Sequence, residues 1–262
     1  MIKQGLWAVK KWMAFAERRY QIAKYAKFGP DHIFDIKVDD LSIKLTFLDR
    51  PIGNAMVERI QGRREPTTVT AIRALVKPGS KVLELGGCYG YFTYIMASCA
   101  GPEGKVVSIE GTPNNYRILQ RNIELNNLKN VAVYNLFITD KADHITYTSD
   151  EHDPYQAIDR LMKGGTIGSP GQVSVQTVRL SSFLNEIGFK PDYVFMDIEG
   201  FEVDVFKDFG CDYFVKHRPV IVFEIHEMFY KNGDNLTLIK EILGQHNYYY
   251  RKDGDNLLCL PN

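Results

Sequence analysis

Cysteine is scarce in this sequence. Cys88, Cys99, Cys211 and Cys259 are the whole complement, and no two of them form a C-x-x-C pair or fall at metal-ligand spacing. A disulfide framework and a cysteine-held zinc are therefore not the devices that organise this chain, and reduced thiols in a cytoplasmic protein are the expectation. Net charge is missing too: Lys plus Arg and Asp plus Glu each total 32. Nonspecific binding to a nucleic-acid duplex needs an excess of basic side chains to displace counterions, so nucleic acid is not an expected partner. No apolar run approaches the roughly 18–20 residues that span a bilayer. Near the N-terminus, Lys10, Lys11, Glu17, Arg18 and Arg19 interrupt any continuous signal-peptide core, and export is not expected. Nothing in the sequence reports an oligomeric state.

What is present is an ordinary globular balance, 45% hydrophobic and 24% charged over 262 residues, enough for one large domain or a domain with a small attachment. Residues 1–28 read as a basic amphipathic helix: Leu6, Trp7, Trp12, Met13, Phe15, Ile22 and Tyr25 interleave with Lys3, Lys10, Lys11, Arg18, Arg19, Lys24 and Lys27. Such a helix can pack on a domain, or lie peripherally on an anionic membrane surface. Gly29-Pro30 ends it. Residues 33–38 and 41–47 then alternate apolar and polar side chains around Asp39-Asp40, a hairpin signal. Residues 1–60 are accordingly expected to form an N-terminal helix-and-hairpin extension, and residues 61–262 the main domain.

A helical pattern runs from Glu65 to Val76 and stops at Pro78-Gly79. After residue 80 short apolar runs alternate with helical periods. Strands are predicted at 82–85, 106–109, 131–134, 193–196 and 220–225, with helices at 91–98, 113–125, from about 201, and at 236–243. Residues 141–176, rich in glycine and polar side chains, read as loops with short strands. Residues 248–251 and 257–260 read as a closing hairpin around Gly254 that supplies an antiparallel edge strand. Alternating β and α units of this length predict a doubly wound, mostly parallel sheet with helices on both faces.

Four segments carry chemistry. Glu84-Leu-Gly86-Gly87-Cys88-Tyr89-Gly90 follows a strand and precedes a helix. Glycines at such a turn let backbone approach a ligand, and the helix start offers N–H groups. The spacing is not the G-x-G-x-x-G of a dinucleotide dehydrogenase; it suits a nucleoside with an amino-acid tail. Glu110 ends the next strand, where a carboxylate can accept both ribose hydroxyls. Met196-Asp197-Ile198-Glu199-Gly200-Phe201-Glu202 puts three acids at a strand's carboxyl end. Asp197 and Glu199 there fall where the reacting end of a ligand would sit, although Asp197 could instead cap the following helix. His226, in Phe223-Glu224-Ile225-His226-Glu227, ends the next strand beside the same place.

The order of ELGGCYGYFT, VVSIEGTPNNYRILQRNIELNN, DIEGFE and RPVIVFEIH resembles the FkbM-type methyltransferases. These are class I S-adenosylmethionine enzymes associated mainly with O-methylation of sugars and other natural products. The resemblance covers roughly residues 62–230, and D-x-E-G-x-E is its most family-specific element. It implies a Rossmann-like class I methyltransferase fold, with S-adenosyl-L-methionine held by Glu84, Gly86, Gly87, Gly90, Glu110 and Asp197, and a small-molecule or glycan hydroxyl as acceptor. Met196 stands where the family often has lysine, and Glu84 with Gly86-Gly87-Cys88 where it often has aspartate with Gly-Ala-Asn.

Methyl transfer from a sulfonium is an in-line displacement, so alignment supplies much of the catalysis. A hydroxyl acceptor must also lose its proton to a base within hydrogen-bond reach. The candidates are Asp197, Glu199 and His226, in that order; the same three side chains are of a type that can hold a divalent cation such as magnesium, although no metal is expected. A silent binding module on the same fold is the first alternative, weakened by the presence of Glu110 and the glycines. A nucleic-acid methyltransferase is the second, weakened by neutral charge and the absence of N-P-P-Y or D-P-P-Y.

Overall fold

The computed structural model describes residues 2–139, 143–148, 172–208, 212–230 and 235–262. The chain forms two compact units, Met1–Glu65 and Pro66–Asn262.

In the first unit, helix α1 (Ile2–Ala26) is followed by a hairpin of β1 (Phe34–Val38) and β2 (Leu41–Leu45), then by helix α2 (Asn54–Ile60). The hairpin pairs Phe34 with Leu45 and Val38 with Leu41. Asp39 takes a positive φ of 52° in the two-residue turn, as a tight hairpin turn demands. Alternation is strict on β1: Phe34, Ile36 and Val38 are buried, Asp35 and Lys37 exposed. Helix α2 was not legible as a helix in the sequence.

The second unit is built on a sheet of seven strands: β3 (Lys81–Leu85), β4 (Lys105–Ile109), β5 (Val131–Tyr134), β9 (Tyr193–Met196), β10 (Val220–Glu224), β11 (Tyr248–Asp253) and β12 (Asn256–Pro261). Their spatial order is β11-β12-β10-β9-β3-β4-β5. Strands β5, β4, β3, β9 and β10 are mutually parallel. The central strands are mostly apolar because both of their faces are covered, with Glu84 and Ser108 as buried polar exceptions, while β5 is half-buried. Val82, Leu83, Leu85, Val106, Val107, Ile109, Val194, Phe195, Met196, Ile221, Val222 and Phe223 are all buried.

Helix α3 (Pro66–Leu75) leads into β3; α4 (Tyr91–Ala100) joins β3 to β4 and α5 (Pro113–Leu125) joins β4 to β5. A second, three-stranded sheet of β6 (Phe137–Ile138), β8 (Gln172–Val178) and β7 (Asp143–Thr148) lies between β5 and α6 (Leu180–Glu186) in the chain. Helices α7 (Glu202–Asp208) and α8 (Asp212–His217) connect β9 to β10, and α9 (Leu236–Gln245) precedes β11. From β3 the chain steps outward through β4 and β5, then returns to place β9 on the other side of β3. With right-handed crossovers, that reversal puts the two sets of helices on opposite faces. This is the expected class I architecture.

Residues 141–176, read as loops with short strands, contain the paired strands β7 and β8; residues 149–171 lie outside the described residues. The closing hairpin supplies the edge strand, as expected, and its second strand β12 lies inside the sheet. It inserts between β10 and β11, antiparallel to both. The edge strand is β11, all exposed but for Tyr248, and such polarity suits a strand with water on its outer side.

Candidate active site

In an open parallel sheet the crevice for a ligand opens where strand order reverses, at the carboxyl ends of the two strands flanking the reversal. Here those strands are β3 and β9. Their ends are joined directly, since Asp197 donates its N–H to the Leu85 carbonyl at 3.0 Å. The glycine turn and the acid cluster, far apart in sequence, are thus immediate neighbours.

The turn after β3 is fastened from behind. Gly86 and Gly87 donate their N–H groups to the Ile109 carbonyl at 2.8 and 3.1 Å, and Asn122 of α5 donates to the Tyr89 carbonyl at 2.8 Å. Glycine at these positions also answers a packing demand. Gly86 has φ 93°, and a Cβ there would stand 1.9 Å from the Asp197 carbonyl oxygen. A Cβ on Gly87 would meet Ser108 Oγ at 2.3 Å. These residues are small so that the turn can press against β4 and the segment after β9.

Glu84 lies in the wall beneath that turn and is buried. Its Oε2 accepts hydrogen bonds from Thr93 and Ser108, both at 2.5 Å. Burial raises its pKa to about 7, against the opposing effect of those two hydroxyls and with help from the charges of Glu110 and Asp197. From this position beneath the turn it can act through its charge on what the turn holds.

Glu110 is also buried. Its Oε2 accepts the Cys88 N–H at 2.8 Å, and Oε1 accepts the Thr112 N–H at 2.7 Å and the Thr112 hydroxyl. Burial raises its pKa, and the hydrogen bonds from Thr112 and Cys88 oppose that rise. Cys88 has φ 49°, so Glu110 holds the turn in a left-handed conformation that a non-glycine residue does not favour. The two Thr112 bonds fill Oε1, and Oε2 keeps one lone pair beyond the Cys88 bond, which leaves capacity for one hydroxyl. Thr112, Ser108 and Thr93 gave no sequence signal; each matters only through the carboxylate it faces.

The acid cluster gathers around His226. Nδ1 lies 2.9 Å from Glu202 Oε1, and Glu202 has no exposed side-chain surface. The same carboxylate accepts the N–H of Gly200 at 3.0 Å and of Ile198 at 3.4 Å. Nε2 faces Asp197 Oδ1 at 3.6 Å, Glu199 Oε2 at 3.6 Å and Glu224 Oε1 at 3.8 Å. Burial works against a charged imidazole, but the hydrogen bond and charge of Glu202, with the charges of Asp197 and Glu199, outweigh it and place the pKa at about 9. Asp197, Glu199 and His226, expected to converge, do so. Asp197 does not cap the following helix, which starts only at Glu202. Glu199 turns the chain with φ 51°, followed by Gly200 at 103°. Glu202 stands in the D-x-E-G-x-E element, yet its full burial against His226 is a tertiary fact with no local signature.

The chemistry of this set fits a nucleoside with a cationic tail: a carboxylate at β4 for a ribose hydroxyl, and acids beside β3 for positive charge. The profile of the Methyltransferase FkbM domain matches residues 84–251. A protein-L-isoaspartate O-methyltransferase of Methanothrix thermoacetophila is 40% identical over 58 residues, spanning 22% of this chain and 28% of that protein. The chain thus aligns with less than a third of that relative's length. Among solved structures, Aeropyrum pernix fibrillarin with natively bound S-adenosyl-L-methionine aligns with a TM-score of 0.46 and 13% identity, covering 74% of each chain. An O-methyltransferase from Bacillus cereus in complex with SAH aligns with a TM-score of 0.41 and 16% identity, over 76% of this chain and 82% of the other.

Proposed function

The chain belongs to the FkbM family of S-adenosylmethionine-dependent methyltransferases, and from that premise we propose that it transfers the methyl group to a hydroxyl of a sugar, glycan or small natural product. The observation that carries this reading is the contact of the two strand ends. Asp197 N–H on the Leu85 carbonyl sets a cluster able to take a proton directly beside a turn suited to the cofactor.

S-adenosylmethionine supplies an electrophilic methyl on a sulfonium. The chain's residues do the rest. Gly86, Gly87 and Gly90 form the turn that the nucleoside lies across, and Glu110 accepts a ribose hydroxyl on Oε2 while pinning Cys88. Glu84 supports the turn from below. Asp197, 34% exposed, faces the positive end. The acceptor's hydroxyl proton passes to a carboxylate, Asp197 first and Glu199 second, with His226 the third candidate.

The basic helix α1 adds a place of work. Trp12, Phe15 and Tyr20 are 69%, 57% and 63% exposed, and Lys11, Arg18, Arg19 and Lys24 share their helix. Aromatic side chains with a basic surround fit an anionic lipid interface. No described helix is long and apolar enough to cross a membrane, and the proposed contact is peripheral, from the cytoplasmic side.

Transfer of a tritiated methyl from labelled cofactor into cell extracts tests the reading. Label is expected in a small-molecule or glycan fraction. Label in nucleic acid, or none, would refute it. With the acceptor in hand, Asp197→Asn should keep the fold and most cofactor binding but lower turnover by roughly 10²–10⁴, the usual worth of a positioned base; near-normal turnover would remove Asp197 from the chemistry.

A further inference from the structure

We infer that Asp197, Glu199 and His226 form a site for one divalent cation of the magnesium–manganese class, with Glu202 as the residue that orients the histidine. The inference rests on the methyltransferase reading of this cluster as the acceptor side of the site.

Its basis is the environment of one nitrogen. His226 is 11% exposed, and three carboxylate oxygens approach its Nε2 at 3.6, 3.6 and 3.8 Å. A ring N–H bonded to a carboxylate stands at about 2.7–3.2 Å, so none of the three is a direct hydrogen bond. They surround the nitrogen from different segments, Asp197 and Glu199 from the turn after β9 and Glu224 from the end of β10. Two ligands held at about 2.1 Å from one ion at the right angles of an octahedral site lie about 3 Å apart. Nε2 stands 3.6 Å from Asp197 and Glu199, so a small side-chain movement of about 0.6 Å would bring each pair to that separation. All three ligand atoms lie within 4.8 Å of one another.

The other ring nitrogen completes the argument. A metal-binding histidine characteristically donates its second N–H to a carboxylate, which fixes tautomer and ring direction. Glu202 does this at 2.9 Å. Its own position is set by the backbone N–H groups of Ile198 and Gly200, which belong to the turn carrying Asp197 and Glu199. One buried carboxylate therefore aligns all three ligands together. Two carboxylates and one imidazole with no thiolate suit a hard, oxygen-preferring cation. Glu224 adds further negative charge at the rim. The coordination positions left over would go to water or to the acceptor's hydroxyl oxygen, whose proton a bound cation makes easier to remove.

The test uses the full chain, stripped with a chelator and dialysed. Titration with MnCl₂, followed by the electron paramagnetic resonance signal of free Mn²⁺, should show one bound ion per chain. Glu199→Gln and His226→Ala should each weaken binding at least ~10-fold, and Glu202→Gln by ~10–100-fold, the range for loss of a ligand-orienting carboxylate. The exposed Glu186→Gln on α6 should bind as the wild type does. Circular dichroism establishes that each variant is folded, and Glu199→Gln carries the test should His226→Ala not fold. Absence of Mn²⁺ binding, or equal affinity in wild type, Glu199→Gln and His226→Ala, would overturn the site. S-adenosylhomocysteine titrated calorimetrically into the same samples separates the two readings. Nucleoside binding without Mn²⁺ binding removes the cation site alone. Mn²⁺ binding without nucleoside binding supports the cation site and removes the methyltransferase reading beneath it.

Discussion

Replacing Glu84 by glutamine should flatten a pH dependence of stability that the wild-type chain carries. Burial is the main reason the carboxyl's pKa stands at about 7 rather than 4.5. Between those two values the folded chain keeps a proton that the unfolded chain has released, so stability must fall as pH rises through that window. At ~1.4 kcal/mol per pKa unit, the full effect is about 3 kcal/mol, and roughly 2–3 kcal/mol of it falls between pH 5 and pH 7.5. The amide has nearly the same shape and does not titrate. Thr93 and Ser108 can rotate their hydroxyls to accept its N–H or donate to its oxygen. Urea unfolding at pH 5, 6, 7 and 7.5, with the m-value held common, gives the difference between the two proteins at each pH. Glu110 titrates with burial in the same direction, but it is present in both and largely cancels. Wild type should lose stability relative to Glu84→Gln as pH rises. Parallel curves would refute the reasoning, because they would mean that Glu84 titrates in the fold as it does in water.

Glu110→Ala should cost S-adenosylhomocysteine affinity about 1.5–3 kcal/mol, the worth of hydrogen bonds to a charged group, with part of it arising from release of Cys88; unchanged affinity by calorimetry would remove Glu110 from the cofactor site. Wild-type protein should float with vesicles rich in phosphatidylserine and not with phosphatidylcholine alone, and Trp12→Ala with Phe15→Ala should reduce that flotation several-fold. Equal partitioning of wild type and variant would refute the membrane contact.

Much of this molecule was legible from residue order. Helix α5 and strands β5 and β9 lie where periodicity placed them, because a long amphipathic run between Pro113 and Asn126, or four apolar residues between turn signals, admits little else. Asp197, Glu199 and His226 were legible as a group because each follows a strand that parallel pairing brings to one end of the sheet. What stayed hidden depends on neighbours remote in sequence. Seven residues from Asn54 to Ile60 are too few for a convincing helical period. Glu202 looks like any first-turn helix acid until His226 is placed against it. The glycines at 86 and 87 advertise a turn, but only the fold shows that Asp197 and Ser108 are what they make room for. The insertion of β12 beside β10, instead of at the margin, reflects a choice between two pairings that alternation alone cannot distinguish.

That insertion sets an order of assembly. Strand β10 ends in Glu224 with His226 just beyond, and its outer edge is covered only by β12, through pairs such as Phe223 with Leu257 and Glu224 with Asn256. The turn of the hairpin also accepts the Ile225 N–H on the Asp255 carbonyl at 3.0 Å. On the ribosome, the glycine turn, Glu110 and the acids after β9 emerge first, while β10 waits with an unpaired edge open to other strands. The histidine side of the crevice is thus clamped by a segment made after the strand that it covers. A nascent chain can hold a nucleoside-shaped turn before it holds a working site.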